Sequence, residues 1–157
     1  MNLKKLREGV LVFMAHKMGL PYFRLIRKKP SFPYTKEQLA AMPEGSVGKT
    51  MYVFFQKNNL DLLPYYEKHD IKHVVLGYEA DEEGEVCLQC FMLANGRMTI
   101  PVWIAVGYGV VTMPEYWAAF YKAWIRGRRN KSLQQTDWFA LIPQPLYEVQ
   151  HALLRVS

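Results

Sequence analysis

Apolar residues recur at helical spacing along most of this chain, whereas the alternation that is typical of half-buried strands is nearly absent. The first segment predicts an amphipathic helix, whose apolar face contains Leu3, Leu6, Val10, Phe13 and Met14. Residues 99–106 form the one stretch that suits a short strand. The pattern therefore predicts an all-α fold, a single compact multi-helix domain with an amphipathic basic N-terminal helix.

Cap and stop signals divide the following sequence into further helices. Thr35, with Gln38 three residues later, resembles a capping box and predicts a short helix that reaches Ala41. Asp81 suits the N-cap of a later helix, and Gly77 suits the C-terminal stop of the helix before it. The predicted helices after the first are 35–41, 49–58, 64–76, 81–95, 114–126 and 145–154.

The segment from residue 100 to residue 113 is nearly continuous apolar sequence. It is shorter than the about 20 residues that a membrane-spanning helix needs. Half of the 157 residues are hydrophobic and 14% are aromatic, so the chain can bury a sizeable core and is not a disordered segment.

The net charge of +6 comes mostly from the N-terminus. Residues 1–34 contain eight basic residues and one acid, so we divide the chain into a basic arm, 1–34, and a domain, 35–157. Within the arm, residues 21–33 contain three prolines and predict an extended connector. The arm suits an anionic membrane surface, with a solvated face that caps the domain as the alternative. Nucleic acid would also suit the charge, but the chain has no recognised helix-turn-helix or zinc-finger signature.

Two cysteines, Cys87 and Cys90, are too few for a disulfide framework and indicate a reducing compartment. The N-terminal sequence lacks the pattern of a signal peptide. We therefore expect a cytoplasmic protein that is peripheral to the inner face of a membrane.

Candidate metal ligands lie on two consecutive predicted helices. His69 and His73 are four residues apart and therefore share one helix face, while Asp70 lies about 100° around the helix from His69. Glu85 follows His73 after eleven intervening residues, on the next helix. Two imidazoles with one or two carboxylates suit Zn²⁺ with an open position for water, and they also meet the two-histidine, one-carboxylate recipe of non-haem iron.

A second ligand set, made of the two histidines with Cys87 and Cys90, competes with the first. At about 100° per residue, Cys87 lies about 200° from Glu85 and Cys90 about 140° away, so neither cysteine shares the face of Glu85. We interpret both cysteines as core residues. Glu82 does share that face and is the substitute ligand, with ordinary solvated charge at a helix start as the alternative interpretation.

These residues belong to a longer motif. The stretch H-D-I-K-H-V-V-L-G at 69–77, followed by G-E-V at 84–86, resembles the H-D-x-x-H, eleven residues, E signature of the ubiquinone (coenzyme Q) biosynthesis protein Coq-four family. Three flanking segments are similar to elements of the same family: Met42-Pro-Glu-Gly-Ser-Val-Gly-Lys49, Phe120-Tyr-Lys-Ala-Trp-Ile-Arg-Gly-Arg128 and Pro145-Leu-Tyr-Glu-Val149.

The resemblance implies an all-helical, lipid-associated protein that binds a divalent metal, Zn²⁺ or iron, and acts on a polyprenylated quinone precursor. It implies metal-dependent decarboxylation of the ring, by a lyase or an oxidative decarboxylase. Asp70 and His73 are the expected catalytic residues, and Asp70 would be either a fourth metal ligand or a proton carrier. The alternative is a non-catalytic lipid-binding scaffold with a structural metal. Homo-oligomers or other quinone-biosynthesis proteins are possible partners. The residues expected to contact the lipid are Tyr108, Trp117, Phe120 and Trp124.

Overall fold

The computed structural model describes residues 6, 7, 9, 10 and 32–154. Within these residues the fold is all-α, as predicted, and contains no strand. Residues 99–106 were the candidate strand, and that prediction is wrong because they enter a helix. The helices are α1 (Lys36–Ala40), α2 (Val47–Asn58), α3 (Glu67–Leu76), α4 (Glu82–Ala94), α5 (Ile100–Thr112), α6 (Trp117–Arg129) and α7 (Leu146–Leu153).

Local cap chemistry sets most of the helix ends. The capping box of Thr35 and Gln38 is present, and the Asp81 side chain accepts a hydrogen bond from the backbone N–H of Gly84 at 2.9 Å. The Ser46 hydroxyl accepts from Lys49 N at 3.1 Å, so α2 begins two residues earlier than predicted. Residues 114–116 form a 3₁₀ turn, which delays the start of α6 to Trp117.

Most of the predicted basic arm lies outside the described residues. Residues 6, 7, 9 and 10 are helical, in agreement with the predicted first helix, and residues 32–34 have no regular structure. The remaining part of the arm, including most of the connector at 21–33, is outside the description. Among the residues that the structure does describe, no helix combines the length and the apolarity needed to cross a bilayer.

The chain divides into two compact units. In the first unit, which includes residues 79–134, α4 packs against both α5 and α6. Two glycines allow this close approach. A Cβ atom at Gly109 would lie 2.4 Å from a methyl carbon of Val86, and one at Gly127 would lie 2.3 Å from the carbonyl oxygen of Phe91. Neither position therefore accepts a side chain without a shift of its neighbour.

A buried asparagine joins the end of α4 to the end of α6. The Asn95 amide nitrogen donates to the carbonyl oxygens of Gly127, at 3.1 Å, and Lys131, at 2.9 Å. Its amide oxygen accepts from Leu133 N at 2.8 Å. One side chain thus satisfies three backbone groups that have no helical partner.

The second unit includes residues 32–78 and 135–154, and contains α1, α2, α3 and α7. The start of α2 pairs with the segment before α7, because Val47 N donates to Gln144 O and Gly48 N donates to Ile142 O, at 2.9 and 2.8 Å. The Gln150 side chain donates to Val75 O at 3.0 Å and so ties α7 to α3. These contacts hold α3 between α2 and α7.

We expect Asn95→Ala to lower the free energy of unfolding by about 2–4 kcal/mol, because it leaves several buried backbone groups without a partner. Urea denaturation followed by circular dichroism measures this change. The matched control is Asn58→Ala, which removes one bond, to Phe54 O, from a half-buried position and should cost about 1 kcal/mol or less. Equal costs for the two variants would contradict the role given to Asn95.

Candidate metal centre

Helix α3 brings two imidazoles into direct contact. The Nε2 atoms of His69 and His73 lie 3.0 Å apart, and the ring centroids are separated by 4.7 Å. This proximity follows from the spacing of four residues, since side chains at i and i+4 lie on one helix face. The first turn is anchored at Tyr66, whose carbonyl oxygen accepts from His69 N and Asp70 N.

His73 is held in one orientation by contacts on several sides. Its side chain is buried, with 3% exposure, and Phe54 stacks on its ring at a centroid distance of 5.6 Å. Its Nδ1 atom lies 3.0 Å from the carbonyl oxygen of Tyr78. A carbonyl oxygen can only accept a hydrogen bond, so this contact places the proton of the neutral ring on Nδ1. The lone pair of Nε2 is therefore directed at His69.

The turn after α3 makes this bond possible. Gly77 adopts a left-handed conformation, with φ 73°, and ends the helix as its sequence position predicts. The backbone N–H groups of Gly77 and Tyr78 both donate to His73 O. This turn directs the Tyr78 carbonyl back to the His73 ring. A hydrogen bond from the second ring nitrogen to a backbone carbonyl is a common way in which metal-binding histidines are oriented.

The histidine pair fits a shared cation. Two nitrogen ligands at about 2.0–2.1 Å from a tetrahedral Zn²⁺ lie about 3.3 Å apart, a few tenths of an ångström more than the 3.0 Å found here. A neutral pair at this distance can instead form an N–H···N hydrogen bond, in which His69 donates to His73. The two arrangements need the same His73 tautomer, which is the one that the contact with Tyr78 O sets.

Asp70 and Glu85 lie on different helices. Asp70 follows His69 in the first turn of α3 and is half-buried. Glu85 is half-buried in the first turn of α4, in the first unit, where its carboxylate accepts from the Gln89 side chain at 2.8 Å. That these two carboxylates share an ion with the histidines stays a prediction.

Glu82 does not behave as ordinary solvated charge, so that interpretation is wrong. Its side chain is 1% exposed, lies 3.9 Å from the guanidinium of Arg7 and accepts from the Tyr116 hydroxyl at 3.4 Å. Arg7 also pairs with Glu115, and this bond raises the pKa of Arg7 and lowers the pKa of Glu115. Sequence analysis missed this cluster because nothing local links Arg7 to α4.

The cysteines of the competing ligand set are buried on α4, which confirms that they are core residues. Burial raises the pKa of Cys87 to about 12 and that of Cys90 to about 11. Burial among apolar neighbours therefore favours the neutral thiol at both positions, as is typical of core cysteines.

The four residues expected to contact a lipid lie in the first unit. Phe120 is buried beside Tyr116, and Tyr108 and Trp124 are half-buried. Trp117 is 54% exposed and donates from its indole nitrogen to Val110 O at 2.8 Å. Contact of these residues with a lipid stays a prediction.

No protein-family model matches the chain, and no curated protein sequence matches it significantly. The structure is similar to the crystal structure of a protein from Nostoc punctiforme that is named a "putative ubiquinone biosynthesis protein". The similarity has a TM-score of 0.67 at 22% sequence identity and covers 100% of this chain and 83% of the other. The structural similarity, at this low sequence identity, shows that the two proteins share a fold.

Proposed function

We propose that this chain is a metal-binding protein of ubiquinone biosynthesis that acts on a polyprenylated quinone precursor. The observation that carries the proposal is the His69–His73 pair, with its two Nε2 atoms 3.0 Å apart and His73 oriented by Tyr78 O. The H-D-x-x-H motif supports it, as does the shared fold with a protein named for ubiquinone biosynthesis.

In this proposal His69, His73 and Glu85 are the metal ligands, and Asp70 is a fourth ligand or a proton carrier. The spacing of the motif supports Glu85 as the third ligand, since the proposed set needs a carboxylate beside two imidazoles. Zn²⁺ is the preferred ion, with Fe²⁺ as the alternative, because both accept two histidines and a carboxylate.

The proposed reaction is decarboxylation of the precursor ring. The bond between the ring and its carboxylate breaks, carbon dioxide leaves, and the ring carbon keeps the electron pair and takes up a proton. A bound metal ion would stabilise negative charge on a substrate oxygen. The Asp70 carboxyl, next to His69 on α3, supplies the proton, and the Tyr78 contact keeps His73 in the tautomer whose Nε2 can act as a ligand. Tyr108, Trp117, Phe120 and Trp124 are the proposed contacts of the prenyl chain.

A non-catalytic scaffold with a structural metal is the second candidate. The burial of His73 and its stacking on Phe54 favour it, since structural metal sites are closed by protein ligands whereas catalytic sites keep an open position. In either role, the basic arm at 1–34 is proposed to contact an anionic membrane surface, and further copies or other quinone-biosynthesis proteins are the proposed protein partners.

We expect His73→Ala to lose the bound metal, because it removes a ligand from the centre of the proposed set. Elemental analysis of the purified protein measures the metal content. The control is His151→Ala on α7, an exposed histidine of the same unit that lies outside the motif. Equal metal content in wild type, His73→Ala and His151→Ala would sink the metal proposal, provided that circular dichroism shows all three folded.

The bond to Tyr78 O gives a second prediction. Gly77→Ala strains the left-handed turn and should weaken metal binding about 10- to 100-fold, because the orientation of His73 is lost. Gly45→Ala is a matched control, since Gly45 has φ 78° and an added Cβ has open space at both positions. Each substitution should cost about 1–2 kcal/mol of stability. Similar metal affinity in the two variants would show that the turn does not serve the site.

Asp70→Asn separates the two candidate functions. If Asp70 supplies the proton, the variant keeps its metal but releases carbon dioxide from a prenylated aromatic acid at least about 100-fold more slowly. Headspace carbon dioxide and elemental analysis are measured on the same samples. Undiminished release would remove Asp70 from the mechanism, and no release from the metal-loaded wild type would favour the scaffold.

A further inference from the structure

Helix α5 has an exposed face that is as apolar as its buried face. Four residues at helical spacing, Ile100, Trp103, Gly107 and Val110, form an exposed row along the helix, and Val111 beside them is 80% exposed. The residues buried in α5 are Val102 and Gly109. An exposed helix face in a globular protein is normally polar, so this row requires an apolar partner.

The apolar row has an aromatic residue at its end and basic residues at its start. At the C-terminal end of α5, the Trp117 indole is bonded to Val110 O. At the N-terminal end lies Met98, 74% exposed. The Asn95 bonds to Gly127 O and Lys131 O bring the end of α6 beside the segment that leads into α5. Three exposed cations therefore lie near this start, Arg128, Arg129 and Lys131.

Charge is strongly segregated within this unit. Residues 86–136 contain six lysines and arginines, and their one acid is Glu115, which is paired with Arg7. The other acids between residues 79 and 134 all lie between 79 and 85, around the start of α4. The exposed cations lie beyond the opposite end of α4, past Asn95.

We infer that the exposed row of α5, with Met98 and the cations at the end of α6, is a docking surface for an anionic lipid bilayer. Aliphatic side chains can enter the acyl boundary, tryptophan suits the headgroup level, and arginine and lysine pair with lipid phosphates. Charge favours this partner over a second copy of the chain, because a symmetric contact here would bring like cations together. The aliphatic residues favour it over nucleic acid, whose bases stack on aromatic rings.

The docking surface contains none of the proposed metal ligands, so the inference is independent of the metal. Nor does it depend on the basic arm, most of which precedes the described residues. The docking surface would be a second membrane contact besides the basic arm. Its apolar row could not be found from the net charge of the chain, because the row is uncharged.

Vesicle sedimentation of the full chain tests the inference. The vesicles are phosphatidylcholine alone, or phosphatidylcholine with about 30 mol % phosphatidylglycerol. The triple variant R128Q/R129Q/K131Q should bind anionic vesicles about 100-fold more weakly, since each cation near the surface contributes about a factor of five. Its control, K36Q/K49Q/K57Q, removes the same charge from the second unit and should bind within about threefold of wild type.

The apolar row is tested separately. The variant I100S/W103S should lose at least tenfold in affinity for both kinds of vesicle. The control V53S/Y147S, which changes two exposed large hydrophobic residues of the second unit, should not. His73→Ala should bind vesicles like wild type. The vesicle test therefore remains valid even if the metal proposal fails.

Three results would overturn the inference. Unchanged vesicle binding in both surface variants would assign membrane contact to the basic arm. Equal losses in R128Q/R129Q/K131Q and in K36Q/K49Q/K57Q would show that vesicle binding follows the net charge of the chain and not this surface. A dimer in analytical ultracentrifugation that I100S/W103S dissociates, without any change in vesicle binding, would assign the row to a second copy of the chain.

Discussion

The bond between the His73 ring and the Tyr78 carbonyl is the constraint on which the candidate site depends. It fixes the tautomer of a buried imidazole before any ligand arrives, and it directs the lone pair of that ring at a second imidazole 3.0 Å away. The bond exists because Gly77 turns the chain back at the end of α3. Gly77, which the sequence indicates only as a helix stop, therefore also sets the orientation of the His73 ring in the helix that it ends.

Features that depend on neighbouring residues could be predicted from the sequence. The capping box at Thr35, the N-cap Asp81 and the stop at Gly77 each involve atoms within a few residues, and the structure has all three. The face shared by His69 and His73 follows in the same way from helix periodicity. The start of α2 was missed by two residues because the helix continues back to Ser46, whose cap was not recognised.

Features that depend on distant segments could not be predicted in this way. Glu82 has the sequence context of a solvated first-turn acid, yet it is buried because Arg7 and Tyr116 reach it from other parts of the chain. Helix α5 shows the converse. Its apolar sequence predicts contact with something apolar, but periodicity does not tell whether that partner belongs to the protein, and the structure leaves much of the helix exposed.

The two glycine contacts of α4 also bear on how the first unit moves. At Gly127 the backbones of α4 and α6 touch, at Gly109 the Val86 side chain packs directly on the backbone of α5, and Asn95 holds the ends of α4 and α6 through three bonds. Contacts of this kind weaken steeply with distance, since a gap of about 0.5–1 Å already loses about a quarter to a half of their attraction. The three helices should therefore open as one cooperative unit, with slow and concerted exchange of their protected amides, rather than by detachment of one helix at a time.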